Sequence, residues 1–296
     1  MSGLEKARVL VTGASGQLGK ALCRIGSARG LNVVALSHAE LDIGDRQDVL
    51  ETLQRHAPTH IINAAAYTAV DAAESDISRA YLANRDGAAH LAEAAGDIGC
   101  RLLHVSTDFV FDGNQGKPYS PYDTPNPLNV YGASKLAGER AIIERLGDSA
   151  LIVRTAWVYS PHGRNFLTTM LRLMRERREL RVVEDQVGTP THASGLAAAL
   201  WHALDRDLTG IHHWTDAGVA SWYDFAVAID EIALERGLIA EKPSIIPVST
   251  AEFPTAARRP SNSILDKSSM RVAIDNSGMH WRSALASELD LIDSNE

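Results

Sequence analysis

The sequence predicts an α/β fold: a doubly wound parallel sheet with a smaller C-terminal lobe. Two observations predict it. Short apolar runs alternate with longer amphipathic ones through the first half of the chain, the pattern of strand–helix–strand units with right-handed crossovers. The first strand-to-helix turn is also rich in glycine, as a phosphate-cradling turn must be.

Residues 8–12 (RVLVT) read as a buried strand, followed by a helix over 17–29 and a second strand over 32–36. Asp45 is a candidate N-cap for a helix reaching about 55. Ile61 and Ile62 centre a third strand, and an Ala-rich helix spans about 78–95. A fourth strand (101–106), a helix (131–146) and a fifth strand (151–153) complete the regular half. Beyond it, 166–178, 194–204, 222–236 and 281–292 read as helices, with only short strands between them. Residues 1–155, with segments returning near 182–206, therefore read as a dinucleotide-binding domain. Residues 156–296 read mainly as a substrate lobe. No Pro/Ser-rich linker marks the boundary.

The 296 residues are 45% hydrophobic and 22% charged, values that exclude a disordered chain. Lys+Arg 29 against Asp+Glu 37 gives a net charge of −8, which argues against nucleic-acid or membrane-surface partners, since both need a basic face. No run is long enough to span a bilayer, and residues 1–6 lack the apolar core of a secretory leader. Cys23 and Cys100 stand far apart outside any CxxC pattern, so two reduced thiols in a cytoplasmic protein are expected. The pairs His212–His213 and His56/His60 lack the carboxylate or cysteine set of a metal site. Trp201, Trp214, Trp222 and Trp281 read as packing residues.

Gly13, Gly16 and Gly19 form a G-x-x-G-x-x-G turn between the first strand and helix. Gly13 allows the tight turn, Gly16 lets backbone N–H groups approach a pyrophosphate, and Gly19 permits close packing. Ser15, Gln17 and Leu18 lie on the same path at the helix N-terminus. At the end of the second strand Ser37 and His38 supply neither a carboxylate nor an arginine. NADPH is therefore mildly favoured, with NADH also accepted. Asp42 and Ile43 could line the adenine, and Asp42 reads equally as a loop acid.

Tyr131 and Lys135 are spaced i, i+4 on one helix face. An ammonium beside a phenol lowers its pKa from about 10, and such a phenol can protonate a carbonyl oxygen as hydride reaches the carbon. Ser106-Thr107-Asp108 close the fourth strand at the edge where ligands of open parallel sheets bind. A hydroxyl from Thr107 or Ser106 could hold the substrate oxygen.

These words, with Asn63-Ala64-Ala65-Ala66-Tyr67-Thr68-Ala69-Val70-Asp71-x-x-Glu74, Thr107-Asp108-Phe109-Val110-Phe111-Asp112-Gly113, Gly138-Glu139, Arg154-Thr155-x-Trp157, Asp185-Gln186-x-Gly188-x-Pro190-Thr191 and Arg259-Pro260-x-Asn262-Ser263, resemble the extended short-chain dehydrogenase/reductase superfamily over most of the chain. The resemblance implies a Rossmann sheet and reduction of a C4 ketone on a nucleotide-diphosphate sugar. It implies Tyr131 as proton donor, Lys135 as its tuner and Thr107 as the third catalytic group. Ala64, Ala65 and Ala66 would let backbone approach the cofactor. Thr68, Val70, Asp108, Phe109, Trp157 and Asn165 would face the substrate. Arg259 would meet the diphosphate or order its loop. Apart from the resemblance, the Asp71–Glu74 pair could be read as paired acids for hydrolysis, but its place at a helix entry favours capping. Some members are dimers bridged by magnesium. Here Gly19-Lys20-Ala21-Leu22 and Thr191-His192-Ala193-Ser194 lack the acids for that, so no metal is expected, in a monomer or homodimer. The alternatives are another nucleotide-sugar reductase or epimerase, or a non-catalytic regulatory subunit of the same fold.

Overall fold

A computed structural model of the chain describes Leu4 and residues 6–292. Most of the stretch read for a leader lies outside them. Six strands form the main sheet: β1 (Arg8–Thr12), β2 (Asn32–Leu36), β3 (His60–Asn63), β4 (Arg101–Thr107), β5 (Leu151–Thr155) and β6 (Gly210–His213). Their order is β2-β1-β3-β4-β5-β6, and every pairing is parallel. β1 therefore has β2 on one side and β3 on the other. The chain reverses its direction of winding there, which opens a crevice at the carboxyl ends of β1 and β3.

The principal helices are α1 (Gln17–Ala28), α2 (Arg46–His56), α3 (Gly87–Ile98), α4 (Val130–Leu146), α5 (Phe166–Glu176), α6 (Ala193–Asp205), α7 (Trp222–Glu235) and α8 (Trp281–Leu289). Asp45 does cap α2, accepting from the backbone N–H groups of Gln47 and Asp48. Asn129 caps α4 through the N–H of Gly132. Helices cover both faces of the sheet. One face is packed around Leu22, Leu196, Leu200 and the fully buried Trp201. Trp201 Nε1 donates to the Leu22 carbonyl 3.1 Å away, joining α6 to α1. The other face is packed around Val49, Leu53, Leu91 and Ile142. A separate core of Tyr159, Leu171, Phe225, Ile229 and Trp281 lies in the C-terminal half.

Two expectations are corrected. The predicted helix over 78–95 is broken. Ile77–Tyr81 is α-helical, Leu82–Asp86 is a π-helical turn, and α3 follows. The widened turn carries Asn84, which accepts from Tyr67 N–H at 2.9 Å and donates to Ser134 Oγ at 2.9 Å. α4 crosses it so closely that a Cβ on Gly138 would stand 2.1 Å from the Asn84 carbonyl oxygen. Partners distant in sequence thus impose the π turn. The sheet also gains β6, whose Gly-Ile-His-His sequence carries little strand signal. Among the described residues, no helix is long and apolar enough to cross a membrane.

Candidate active site

The glycine turn sits in the β1/β3 crevice. Gly13 has φ +64°, and a Cβ on it would lie 2.8 Å from Ala65 Cα. The turn and the Ala64–Ala66 segment after β3 are in contact because neither brings a side chain between them. Ala65 N–H donates to Thr12 Oγ1 and to Asn63 Oδ1. Gly16 N–H closes the turn on the Gly13 carbonyl at 3.0 Å. No side chain caps α1, so the free N–H groups of its first turn face outward, where they attract an anion. The residues fit a dinucleotide pyrophosphate. Ser15 is exposed and Leu18 is a core residue, so only the Leu18 backbone can serve a cofactor. Gln17 Oε1 accepts from Asn165 Nδ2 at 2.8 Å and from Ser160 Oγ at 3.2 Å. A Cβ on Gly19 would stand 2.2 Å from the Gly13 carbonyl oxygen. Gly19→Ala should therefore lower stability by about 1–3 kcal/mol through overpacking and weaken NADPH binding. Thermal melts and nucleotide fluorescence titration check both.

At the end of β2 the sequence reading missed an acid. Glu40 folds back, and its Oε2 accepts from Ser37 N–H at 2.8 Å and from Ser37 Oγ at 2.7 Å. Those hydrogen bonds hold its carboxyl below the usual range, so a negative charge stands beside Ser37 and His38 after all. Asp42 Oδ1 accepts from Gly44 N–H at 2.9 Å in its own turn, which is the loop-acid role. Ile43 is buried against Gly87, so its side chain belongs to the core. Glu40→Gln should shift cofactor use toward NADPH by removing a charge that repels a 2′-phosphate. The ratio of kcat/KM for NADPH and NADH measures it.

Thr107 ends β4, and Tyr131 stands in the first turn of α4. A Cβ on Gly132 would lie 2.1 Å from the Phe109 carbonyl oxygen, so α4 starts hard against the turn after β4. The rings of Phe109 and Tyr131 meet edge to face at 5.7 Å. Thr107 Oγ1 donates to Asp108 Oδ1 at 3.1 Å and accepts from Phe109 N–H at 3.2 Å. Asp108 is buried, with its Oδ2 unpartnered among the described residues. Burial raises its carboxyl to about 6, opposed by the nearby Ser263 and Thr107 hydroxyls. Ser106, the other candidate hydroxyl, is committed to Glu139 Oε1.

The expected lowering of the Tyr131 pKa is overturned. Burial pushes the phenol up to about 12, and the nearby Thr107 hydroxyl only partly opposes this. Lys135 is buried, and its Nζ donates to the Val105 carbonyl at 2.7 Å. The cation expected beside the phenol is thus turned onto β4.

Trp157 has φ +48°, a strained conformation for a large residue. Its ring stacks on Trp222 at 3.5 Å, so Trp222 is part of one aromatic wall with Trp157. Thr68 is exposed and Val70 half-buried at the start of the short helix Val70–Ala73. Asn165 caps α5 through Thr168 N–H as well as holding Gln17. Arg259 takes its loop-ordering role, pairing with Asp71 at 2.7 Å. Asp71 therefore ties two loops, and the cap is made by Glu74, which accepts from Val130 N–H at the start of α4. Asp216, remote in sequence, stands 2.9 Å from His192 Nδ1. Among the described residues no three His, Cys, Asp or Glu side chains converge as a metal site.

A glycine turn at the sheet's switch point, with threonine, tyrosine and lysine at the carboxyl end of the next strands, defines a short-chain dehydrogenase/reductase of the extended type. The model described as RmlD substrate binding domain matches residues 7–293. A dTDP-4-dehydrorhamnose reductase of Aggregatibacter actinomycetemcomitans is 41% identical over 94% of this chain and 97% of its own. A Streptomyces niveus protein named dTDP-4-keto-6-deoxy-D-glucose reductase is 40% identical, over 98% of this chain and 99% of its own. The crystal structure of dTDP-4-dehydrorhamnose reductase from Bacillus anthracis in complex with NADP superposes with a TM-score of 0.89, at 37% identity, over 96% of this chain and 99% of that one. The chain belongs to the dTDP-4-dehydrorhamnose reductase family.

Proposed function

We propose that this chain reduces the C4 ketone of dTDP-4-dehydro-L-rhamnose, using NADPH or NADH, to give dTDP-L-rhamnose. The observation that carries the reading is the placement of Thr107 at the end of β4 and of Tyr131 in the first turn of α4, packed against the turn that follows β4, with β3 between β4 and the strand that leads into the glycine turn. The dinucleotide supplies hydride when bound. Gly13, Gly16, Gly19 and Ala64–Ala66 offer it backbone without side-chain obstruction. Thr107 would turn its one hydroxyl proton from Asp108 to the substrate carbonyl, and Tyr131 gives up its proton as negative charge develops on the oxygen. Both contacts strengthen on the way to the transition state, which is where catalysis requires them. A phenol held near 12 by burial stays protonated at neutral pH, as the acid in a reduction must. Asp108 holds the Thr107 proton until the substrate oxygen takes its place, the Phe109 N–H fixes the Thr107 oxygen, and the Phe109 ring holds the phenol edge-on.

In this reading residues 1–155, with the returning 182–206, carry the dinucleotide. Residues 156–296 close over the sugar nucleotide, with Trp157 and Trp222 as a wall and Thr68 and Val70 opposite. The protein works in the cytoplasm as a monomer or homodimer without a metal. Loss of activity or of assembly in EDTA would contradict that last point.

The deciding experiment generates the dTDP-4-dehydro-6-deoxy sugar enzymatically, with and without a 3,5-epimerase, and follows NADPH and NADH absorbance. Consumption that depends on the epimerase is the expected result. The S. niveus relative supports a second reading, reduction of the unepimerised sugar, and consumption without the epimerase would select it. No consumption in either arm overturns both, leaving an epimerase or a non-catalytic subunit.

A further inference from the structure

The resemblance sets Asn165 against the substrate, but the structure spends its side chain elsewhere. Asn165 opens α5, and its Oδ1 accepts from Thr168 N–H at 3.1 Å. A backbone N–H can only donate, so the amide is fixed with oxygen on that side and Nδ2 on the other. The two Nδ2 hydrogens reach Gln17 Oε1 and the Ser160 carbonyl, each 2.8 Å away. Asn165 thus has no N–H left for a sugar.

The same logic orients Gln17. A donor faces it from Asn165, so its amide presents oxygen there and turns Nε2 away from the C-terminal half. Among the described residues Gln17 Nε2 has no hydrogen-bond partner, while Oε1 has two. Gln17 is the first residue of α1, and side chains lean back toward the start of their helix. That start is where the free N–H groups face a pyrophosphate. The loop over residues 160–165 lies along the Gln17 side chain: a Cβ on Gly163 would stand 3.9 Å from Gln17 Cγ. The loop is braced by its own bonds, from Ser160 Oγ to the His162 carbonyl at 2.7 Å and from Thr168 Oγ1 to the Gly163 carbonyl at 2.8 Å.

We propose that Asn165, although it belongs to the C-terminal half, is a positioning residue for the dinucleotide: it holds the Gln17 amide so that Nε2 donates to the pyrophosphate. Coupling between two sites is reciprocal, so filling the dinucleotide site steadies residues 160–168 in return. The cofactor thereby orders the rim of the substrate lobe before any sugar arrives. The proposal rests on the dinucleotide lying in the glycine turn, and not on which sugar is reduced.

The test uses the whole protein, NADPH fluorescence titration and two variants. Gln17→Met removes the amide at similar length, and the Kd for NADPH should rise at least about tenfold, as for one lost hydrogen bond to a charged group. Asn165→Ser keeps an oxygen that can cap α5 but is too short to hold Gln17. Its Kd should rise about fivefold, the cost of immobilising a free glutamine side chain on binding. Because both residues act through one amide, the double variant should bind like Gln17→Met alone, to within about twofold. Two unrelated structural defects would multiply instead. The second readout is hydrogen exchange. Saturating NADPH should slow exchange over residues 160–168 by at least about fivefold in the wild type, and this protection should vanish in Gln17→Met. Three results would overturn the proposal: a wild-type Kd in an Asn165→Ser protein of wild-type melting temperature, multiplying effects in the double variant, or undiminished protection of 160–168 in Gln17→Met. If Asn165→Ser does not fold, the exchange comparison decides alone. No sugar is present, so failure here is distinct from failure to consume NADPH in the coupled assay.

Discussion

Tyr131→Phe is expected to lose at least about a hundredfold in kcat, the lower end for removal of a general acid. The substitution deletes one hydroxyl and little else. The ring keeps its edge-to-face contact with Phe109. The Asn129 cap and the close approach of Gly132 to the Phe109 carbonyl still start α4 where it starts now. Melting temperature and NADPH affinity should therefore stay at wild-type values, while kcat and kcat/KM fall together, the signature of an interaction made only in the transition state. The pH dependence follows from the same group. Its pKa is pushed up to about 12 by burial, so the acid form that reduction needs persists through the neutral range. The reverse oxidation needs the phenolate and should accelerate as pH rises. Near-normal turnover in the Phe variant, measured by NADPH absorbance, would remove Tyr131 from the mechanism.

The first five strands were legible because strands buried on both faces must be almost wholly apolar. Arg8–Thr12 and Leu151–Thr155 show this directly. The glycine turn was legible because each glycine answers a separate steric demand, and Gly13 and Gly19 meet backbone at distances no Cβ could tolerate. What escaped depends on contacts between residues far apart in the chain. Nothing near residue 84 announces a π turn, since its cause is the approach of Gly138. Glu40 lies three residues past the strand end and returns only through hydrogen bonds to Ser37. The phenol's pKa was read in the wrong direction because spacing puts Lys135 on the right helix face but does not say that its amine docks on Val105 and His104. One signal was present and unread: a histidine at 104 and an arginine at 154 each interrupt an apolar strand, and a polar group buried in a sheet needs a partner.

Arg154 has that partner in Glu139, and Glu139→Ala should cost about 3–5 kcal/mol, because it leaves a buried charge uncompensated. The pair is almost fully buried, at 2% and 1% side-chain exposure. Arg154 Nε and one terminal nitrogen reach the two carboxylate oxygens at 2.9 and 2.7 Å. This two-point contact fixes α4 against β5, on the helix that carries Tyr131 and Lys135. Without Glu139, Arg154 keeps its place over the Phe111 ring, but its remaining hydrogen bonds among the described residues, to the Pro121 carbonyl and to His213, are both 3.5 Å long, and Ser106 loses its acceptor. Urea denaturation should show the loss as a lowered midpoint at unchanged slope. A second variant separates a stranded charge from simple loss of packing. Glu139→Leu combined with Arg154→Met removes both charges at similar volume. It should be markedly more stable than Glu139→Ala, because the interior then holds no unpaired ion. If the double variant is as unstable as the single one, packing between α4 and β5, rather than the unpaired guanidinium, sets the cost.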